Sequence, residues 1–276
     1  MRAAGTRVTS ADAASQTRTF GLIVEYDGTD FFGSQLQANA RTVQGELEQA
    51  LAKITGQRTR VRLAGRTDTG VHATGQVAAF EAEIRLDAGS VRKALNYYLP
   101  EDVRVRCAQE APLRFDPRRR ARSREYAYTL NDATSRPALH RRTEYHVRER
   151  LDEGAMHAAA QALTGAHDFA AFAGPATPKG AATVRRIDAA GVRREGDRVI
   201  FTVRGNAFLH QQVRRMAGAL ADAGRGAMTL DQFKKVLESG RKNGAKRLAG
   251  PQGLCLTKVN YEGAGPCGLP EPASAS

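Results

Sequence analysis

No stretch of the chain approaches the roughly 20 consecutive apolar residues that a bilayer-spanning helix needs, which argues against a membrane protein. Cysteine is scarce and odd in number. Cys107, Cys255 and Cys267 lack metal-ligand spacing and read as reduced thiols of a cytoplasmic protein rather than a disulfide framework. His72, His157, His167 and His210 are scattered without the spacing of a zinc site. There is no Walker loop and no dinucleotide-binding glycine fingerprint, so neither a metal nor a cofactor is expected. Acid also falls short of base: 29 Asp and Glu stand against 42 Lys and Arg, a formal net charge of +13. Such an excess favours a polyanionic partner, because fixed positive charge concentrates phosphates and speeds encounter. Charge alone does not separate RNA from DNA or from an anionic membrane.

With 41% hydrophobic residues over 276 positions, the chain can bury a sizeable core as one large domain or two small ones sharing a cleft. Residues 1–19 hold one acid, Asp12, among Ala, Ser, Thr and Arg, and no apolar stretch. They read as a flexible N-terminal extension, with an organellar transit peptide as the alternative to a cytoplasmic location. Residues 262–276, rich in Pro, Gly, Ala and Ser, read as a flexible tail.

Between these ends strands and helices alternate. Residues 20–26 (FGLIVEY) read as a strand closed by Asp27-Gly28. Val43, Leu47, Ala50, Leu51 and Ile54 recur at helical spacing until Gly56. Residues 60–64 alternate as a half-buried strand and run into the polar loop GRTDTGVHATG (65–75); a further strand follows at 76–81. A helix at 90–99 and a strand at 103–107 complete β-α-β-β-α-β, the order of a ferredoxin-like unit. The second half repeats the rhythm. It holds a strand at 124–130, a helix from 152 to 163, and a hairpin of 183–193 with 198–204 around Glu195-Gly196-Asp197. A helix at 208–223 and one opened by the capping-box pair Thr229 and Gln232 follow, then a closing strand through Leu254, Leu256 and Val259. The expected fold is α+β, two ferredoxin-like (RRM-like) halves with mainly antiparallel sheets around a central cleft. One half spans residues 20–110 and the other residues 111–261.

Three features could carry chemistry. In the loop at 65–75, Gly65, Gly70 and Gly75 permit a sharp turn and a close ligand approach, and Asp68 at a strand end can project into a cleft. The plainer alternative is an Asx turn in which Asp68 caps its own backbone. Asp68-Thr69-Gly70 also matches the triplet of aspartic proteases, but that chemistry needs two carboxylates sharing a proton, and the second would have to come from a dimer mate. The second feature is a run of six arginines (114, 118, 119, 120, 122, 124) against one acid, Asp116, leading into Tyr126 and Tyr128. It is either a solvated face or a phosphate track, since Arg pairs bidentately with phosphates. Of the two tyrosines, alternating on one strand face, one can be core while the other reaches a base. Third, Arg214 follows core-facing Val213. If buried it needs an anion, and no acid occurs in its helix before Asp222; Asp68 is the natural candidate.

Taken together, these motifs resemble the tRNA pseudouridine synthase A family. The likeness rests on YDGTDFFGSQLQ (26–37) with TVQGELEQAL (42–51), GRTDTGVHATGQV (65–77), RSREYAYTL (122–130), FLHQQVRRMAGAL (208–220) and GLCLTKVNY (253–261), in the family's order. The resemblance implies the pseudouridine synthase fold, with an RNA-binding cleft between the halves. It also implies isomerisation of uridine to pseudouridine at tRNA positions 38 to 40 in the anticodon arm, by a homodimer that needs no cofactor. It puts the catalytic aspartate at Asp68, the pocket tyrosine at Tyr126 and the basic partner of the carboxylate at Arg214. Arg66 would help displace the target base; Arg118, Arg119, Arg124, His72 and Leu254 are expected to contact the RNA. Asp68 should attack C6 of the base or C1′ of the ribose, held ionised by Arg214. Tyr126 should stack on the flipped base and assist loss of the C5 proton. A non-catalytic RNA-binding module of the same fold is the competing reading. Some positions depart from the family pattern. Ser34 stands where Trp is usual, Arg119-Arg120 replace a Phe-Ser pair, Ala173-Gly174 occupy a place where Arg is common, and residues 248–251 are irregular.

Overall fold

Strand β1 (Arg18–Tyr26) is apolar through its middle, and Phe20, Leu22 and Val24 are fully buried. Helix α1 (Val43–Thr55) begins where the Thr42 hydroxyl accepts from the Gly45 amide and stops at Gly56, whose φ of 72° few other residues tolerate. Then come β2 (Arg62–Leu63), β3 (His72–Ala82), α2 (Ala88–Tyr98, capped by Asp87) and β4 (Val103–Ala111). β1 lies antiparallel between β4 and β3, and β2 pairs on β3, so the strand order is β4-β1-β3-β2. That is the expected ferredoxin-like unit, with differences in extent; β4, for one, runs four residues past 107. β2 shrinks to two residues, because only Arg62 and Leu63 find partners on β3. β3 starts four residues early, so the end of the polar loop is strand.

The computed structural model describes residues 17–272 except 179, 243 and 264. The second half holds β5 (Ser123–Asn131), β6 (Tyr145–His146), α3 (Glu153–Gln161), β7 (Gly165–Asp168), β8 (Val184–Glu195) and β9 (Arg198–Gly205). After these come α4 (Gln212–Gly224), α5 (Leu230–Glu238) and β10 (Leu254–Asn260). The strands run β10-β5-β9-β8-β7, with β6 on β5. The Thr229–Gln232 capping box opens α5 as expected. α4 starts four residues later than expected, because Gln211 takes a left-handed conformation (φ 58°) and turns residues 208–211 out of the helix.

One strand joins the halves. β10 is antiparallel to β5 and parallel to β3, through Cys255 opposite His72 and Leu256 opposite Ala73, which makes one ten-stranded sheet. Gly75 permits this seam: a Cβ there would stand 2.1 Å from the Thr257 carbonyl oxygen. A single hydrophobic cluster runs from Phe20 to Leu269. None of the helices among the described residues is long and apolar enough to cross a membrane.

Two expectations need correction. Cys107 and Cys267 form a disulfide, and only Cys255 is free. The described part of the tail is also docked rather than loose. The Gln109 amide donates to the Leu269 and Pro270 carbonyls and accepts from the Cys267 amide, and the Leu269 side chain is fully buried. An odd cysteine count conceals a pair separated by 160 residues, and composition does not register one buried leucine. At the other end, Arg18 and Thr19 already belong to β1; residues 1–16 of the expected extension lie outside the described residues.

Candidate active site

The loop between β2 and β3 is held from behind. The Thr67 amide donates to the Ser34 hydroxyl (2.8 Å), and the Ser34 amide donates to the Thr67 carbonyl (3.1 Å). The Thr67 hydroxyl meets the Tyr26 hydroxyl at 2.8 Å, and burial pushes that phenol up to about 12. The Gln76 side chain brackets Gly65, donating to its carbonyl at 2.8 Å and accepting from its amide at 3.2 Å. Gly70 turns the chain with a φ of 77°. These contacts leave Asp68 at the tip with its side chain about a quarter exposed.

Asp68 does not cap its own backbone, as the Asx-turn alternative requires. Arg214 Nη1 donates to its Oδ2 at 3.2 Å, across 146 positions of sequence. Arg214 is itself buried. Its Nε donates to the Ala249 carbonyl (2.9 Å), and its own carbonyl accepts from the Ala249 amide. The irregular stretch at 248–251 is therefore a bracket: it fixes Arg214, and its Gly250 carbonyl accepts from the Tyr128 hydroxyl at 2.6 Å. That bond and complete burial make Tyr128 the core member of the tyrosine pair. Tyr126 lines the cavity instead, edge-on to Phe208 with ring centroids 5.1 Å apart. Burial above all, then the neighbouring Tyr26, pushes the Tyr126 phenol well above the ordinary tyrosine value.

A cavity of about 420 Å³ lies between the halves. Its walls come from the Asp68 loop, from β5 and β10, from the turn before α4 and its first turn, and from Ala176, Thr177, Pro178, Ala181 and Arg185. Five arginines (66, 118, 124, 185 and 214) line it against one carboxylate, Asp68, so the walls favour a polyanion. Arg124 also braces the loop, donating to the carbonyls of Ala64, Arg118 and Asn206; burial lowers its guanidinium from the usual value.

The structure thus gathers Asp68, Tyr126, Arg214, Arg66, Arg118, Arg124 and Leu254. It leaves out Arg119, which is solvent-exposed and pairs with Asp116 at 3.8 Å. It also leaves out His72, whose Nδ1 accepts from the Gly28 amide and whose Nε2 meets the Arg142 carbonyl at 2.8 Å, beside a second cavity. His72 begins β3, and its ring is consumed by two loops. Sequence reasoning missed Phe208, His210 and Arg185 on the cavity wall. The histidine spacing excludes zinc and says no more of His210; its place four residues before Arg214 is the available signal.

A family model described as tRNA pseudouridine synthase matches residues 22–118 and 159–262. Proteins named tRNA pseudouridine synthase A are similar to this chain along most of its length. One from Geotalea uraniireducens is 43% identical over 245 residues, covering 88% of this chain and all of the relative. One from Thermosipho melanesiensis is 43% identical over 246 residues, again covering 88% and 100%. One from Halalkalibacterium halodurans is 40% identical over 244 residues, covering 88% and 92%. Among solved structures, an archaeal box H/ACA sRNP Nop10-Cbf5 complex aligns at 10% identity with a TM-score of 0.34, over 84% of this chain and 60% of that one.

Proposed function

Since the chain belongs to the tRNA pseudouridine synthase family, we propose that Asp68 is its nucleophile and that the cavity receives a uridine turned out of the anticodon arm of tRNA, at positions 38 to 40. The observation that carries this reading is the pairing of Asp68 with Arg214 at 3.2 Å inside an arginine-walled cavity. A carboxylate already charge-paired is poised to attack, and the surrounding guanidinium groups suit the flanking phosphates.

The reaction is an isomerisation. The N1–C1′ bond breaks, the detached uracil turns, a C5–C1′ bond forms, C5 loses a proton and N1 gains one. Atoms and electrons balance without oxidant or hydrolysis. Asp68 bonds to C6 or C1′ and is released at the end. Turning the nucleoside out costs a few kcal/mol, offset by stacking on Tyr126 and by phosphate contacts to Arg66 and Arg118. Burial raises the Tyr126 phenol above its ordinary value, and from the cavity wall Tyr126 assists loss of the C5 proton. We assign the working form as a homodimer acting on the anticodon stem-loop.

The test is Asp68→Asn, assayed on unmodified tRNA by carbodiimide treatment and primer extension. The variant should bind tRNA within about tenfold of wild type and yield no pseudouridine. Equal product from both would remove Asp68 from the chemistry. No product from wild type, with binding intact, would favour an RNA-binding module.

A further inference from the structure

The carboxylate of Asp68 has two oxygens, and the pairing above accounts for one. Oδ2 faces Arg214; Oδ1 faces His210, whose Nε2 lies 3.7 Å away. His210 occupies the turn that precedes α4, and three local features bring its ring to that spot. Gln211 adopts φ 58°, unusual outside glycine, which ends the turn and starts the helix in a new direction. The Gly174 amide donates to the His210 carbonyl at 2.8 Å and fixes the backbone. Gly174 also leaves space that any other residue would fill: a Cβ there would lie 2.4 Å from His210 Nδ1.

The ring's two nitrogens have different surroundings. Nδ1 is buried and has no hydrogen-bond partner among the described residues. A proton there would be a buried donor without an acceptor, an arrangement that folded proteins avoid. The tautomer with its proton on Nε2 instead aims a donor at Asp68 Oδ1. Among the described residues, the charged group paired with the ring is Asp68.

We propose that His210 is a positioning residue for Asp68, its Nε2–H closing on Oδ1 while Arg214 holds Oδ2. This rests on the reading of Asp68 as the nucleophile. A carboxylate held at one oxygen still swings about its Cβ–Cγ bond, a broad torsion. Held at both, it presents its remaining lone pairs to the nucleoside in one fixed orientation, which converts orientation into rate. The 3.7 Å separation belongs to the free protein, where such contacts run long and tighten once substrate fills the site.

The experiment compares wild type with His210→Phe, which keeps a planar ring and removes the donor, and His210→Gln, whose amide restores a donor at similar reach. Single-turnover conversion of unmodified tRNA and tRNA affinity are measured for each, with thermal melts to confirm folding. The Phe variant should lose about ten- to a hundredfold in rate, the worth of a hydrogen bond to a charged group, while binding tRNA within about twofold of wild type. The Gln variant should recover most of the rate. A Phe variant at wild-type rate, or a Gln variant no faster than Phe, would overturn the proposal. Should the Phe variant not fold, Gly174→Ala keeps the histidine but drives its ring aside, and wild-type rate there would be equally fatal. Failure of the nucleophile reading appears separately, as a wild-type enzyme or an Asp68→Asn variant that behaves against the expectation above.

Discussion

The Ser34 hydroxyl takes the Thr67 amide next to Asp68. Because Ser34 is fully buried, Ser34→Ala would leave that N–H without an acceptor, at a cost of about 1–3 kcal/mol. The expected outcome is a melting temperature lower by about 2–4 °C for each kcal/mol, with slower conversion of tRNA. Calorimetry and a single-turnover assay check both, and an unchanged melt would make Ser34 filler. At this scale the sequence was most legible in residue types. An aspartate among glycines, an arginine without an acid in its own helix, and two alternating tyrosines were all visible. What stayed hidden was direction: only packing shows that Tyr126 faces the cavity while Tyr128 is spent on the Gly250 carbonyl. Leu254 lines the cavity, whereas His72 lies beside the second one with its ring bound to Gly28 and Arg142.

Among the elements, the long periodic ones were readable and the short ones were not. β6 and β7 have two and four residues, too few to display a period. Asp132, just past β5, shows what ties such pieces together. It accepts two hydrogen bonds from Arg194 of β8, one from Arg150, and one from the Leu151 amide ahead of α3. Burial alone would raise its carboxyl pKa, yet the bonds from Arg194 and Leu151 and the two nearby guanidinium charges hold it below the ordinary carboxylate value. A depressed folded-state pKa stabilises above the unfolded value of about 4, and that contribution fades as pH falls through the folded one. Asp132→Asn should therefore cost about 3 kcal/mol at pH 7, as for a broken buried pair. The gap from wild type should narrow on acidification toward pH 3. Urea melts across that range test the sign; a gap that widens in acid would refute it.

For the whole molecule, two long-range links matter. The β10 seam makes one sheet of two halves, and the Cys107–Cys267 disulfide closes a 160-residue loop. Cys267→Ser should lower stability by about 2–5 kcal/mol. Dithiothreitol should reproduce the drop in wild type and leave the variant unmoved; identical melts for all samples would show that the bond contributes nothing. Local patterning determined the α+β class, the order of the long elements and the basic character, and it singled out Asp68, Arg214 and the tyrosine pair, because periodicity, capping and charge are properties of neighbouring residues. Only tertiary structure decided that β10 fuses the sheets, that two distant cysteines meet, and that His210 faces the same carboxylate as Arg214. Those facts depend on which segments come together in space, and contacts across more than a hundred residues leave no periodic trace along the chain.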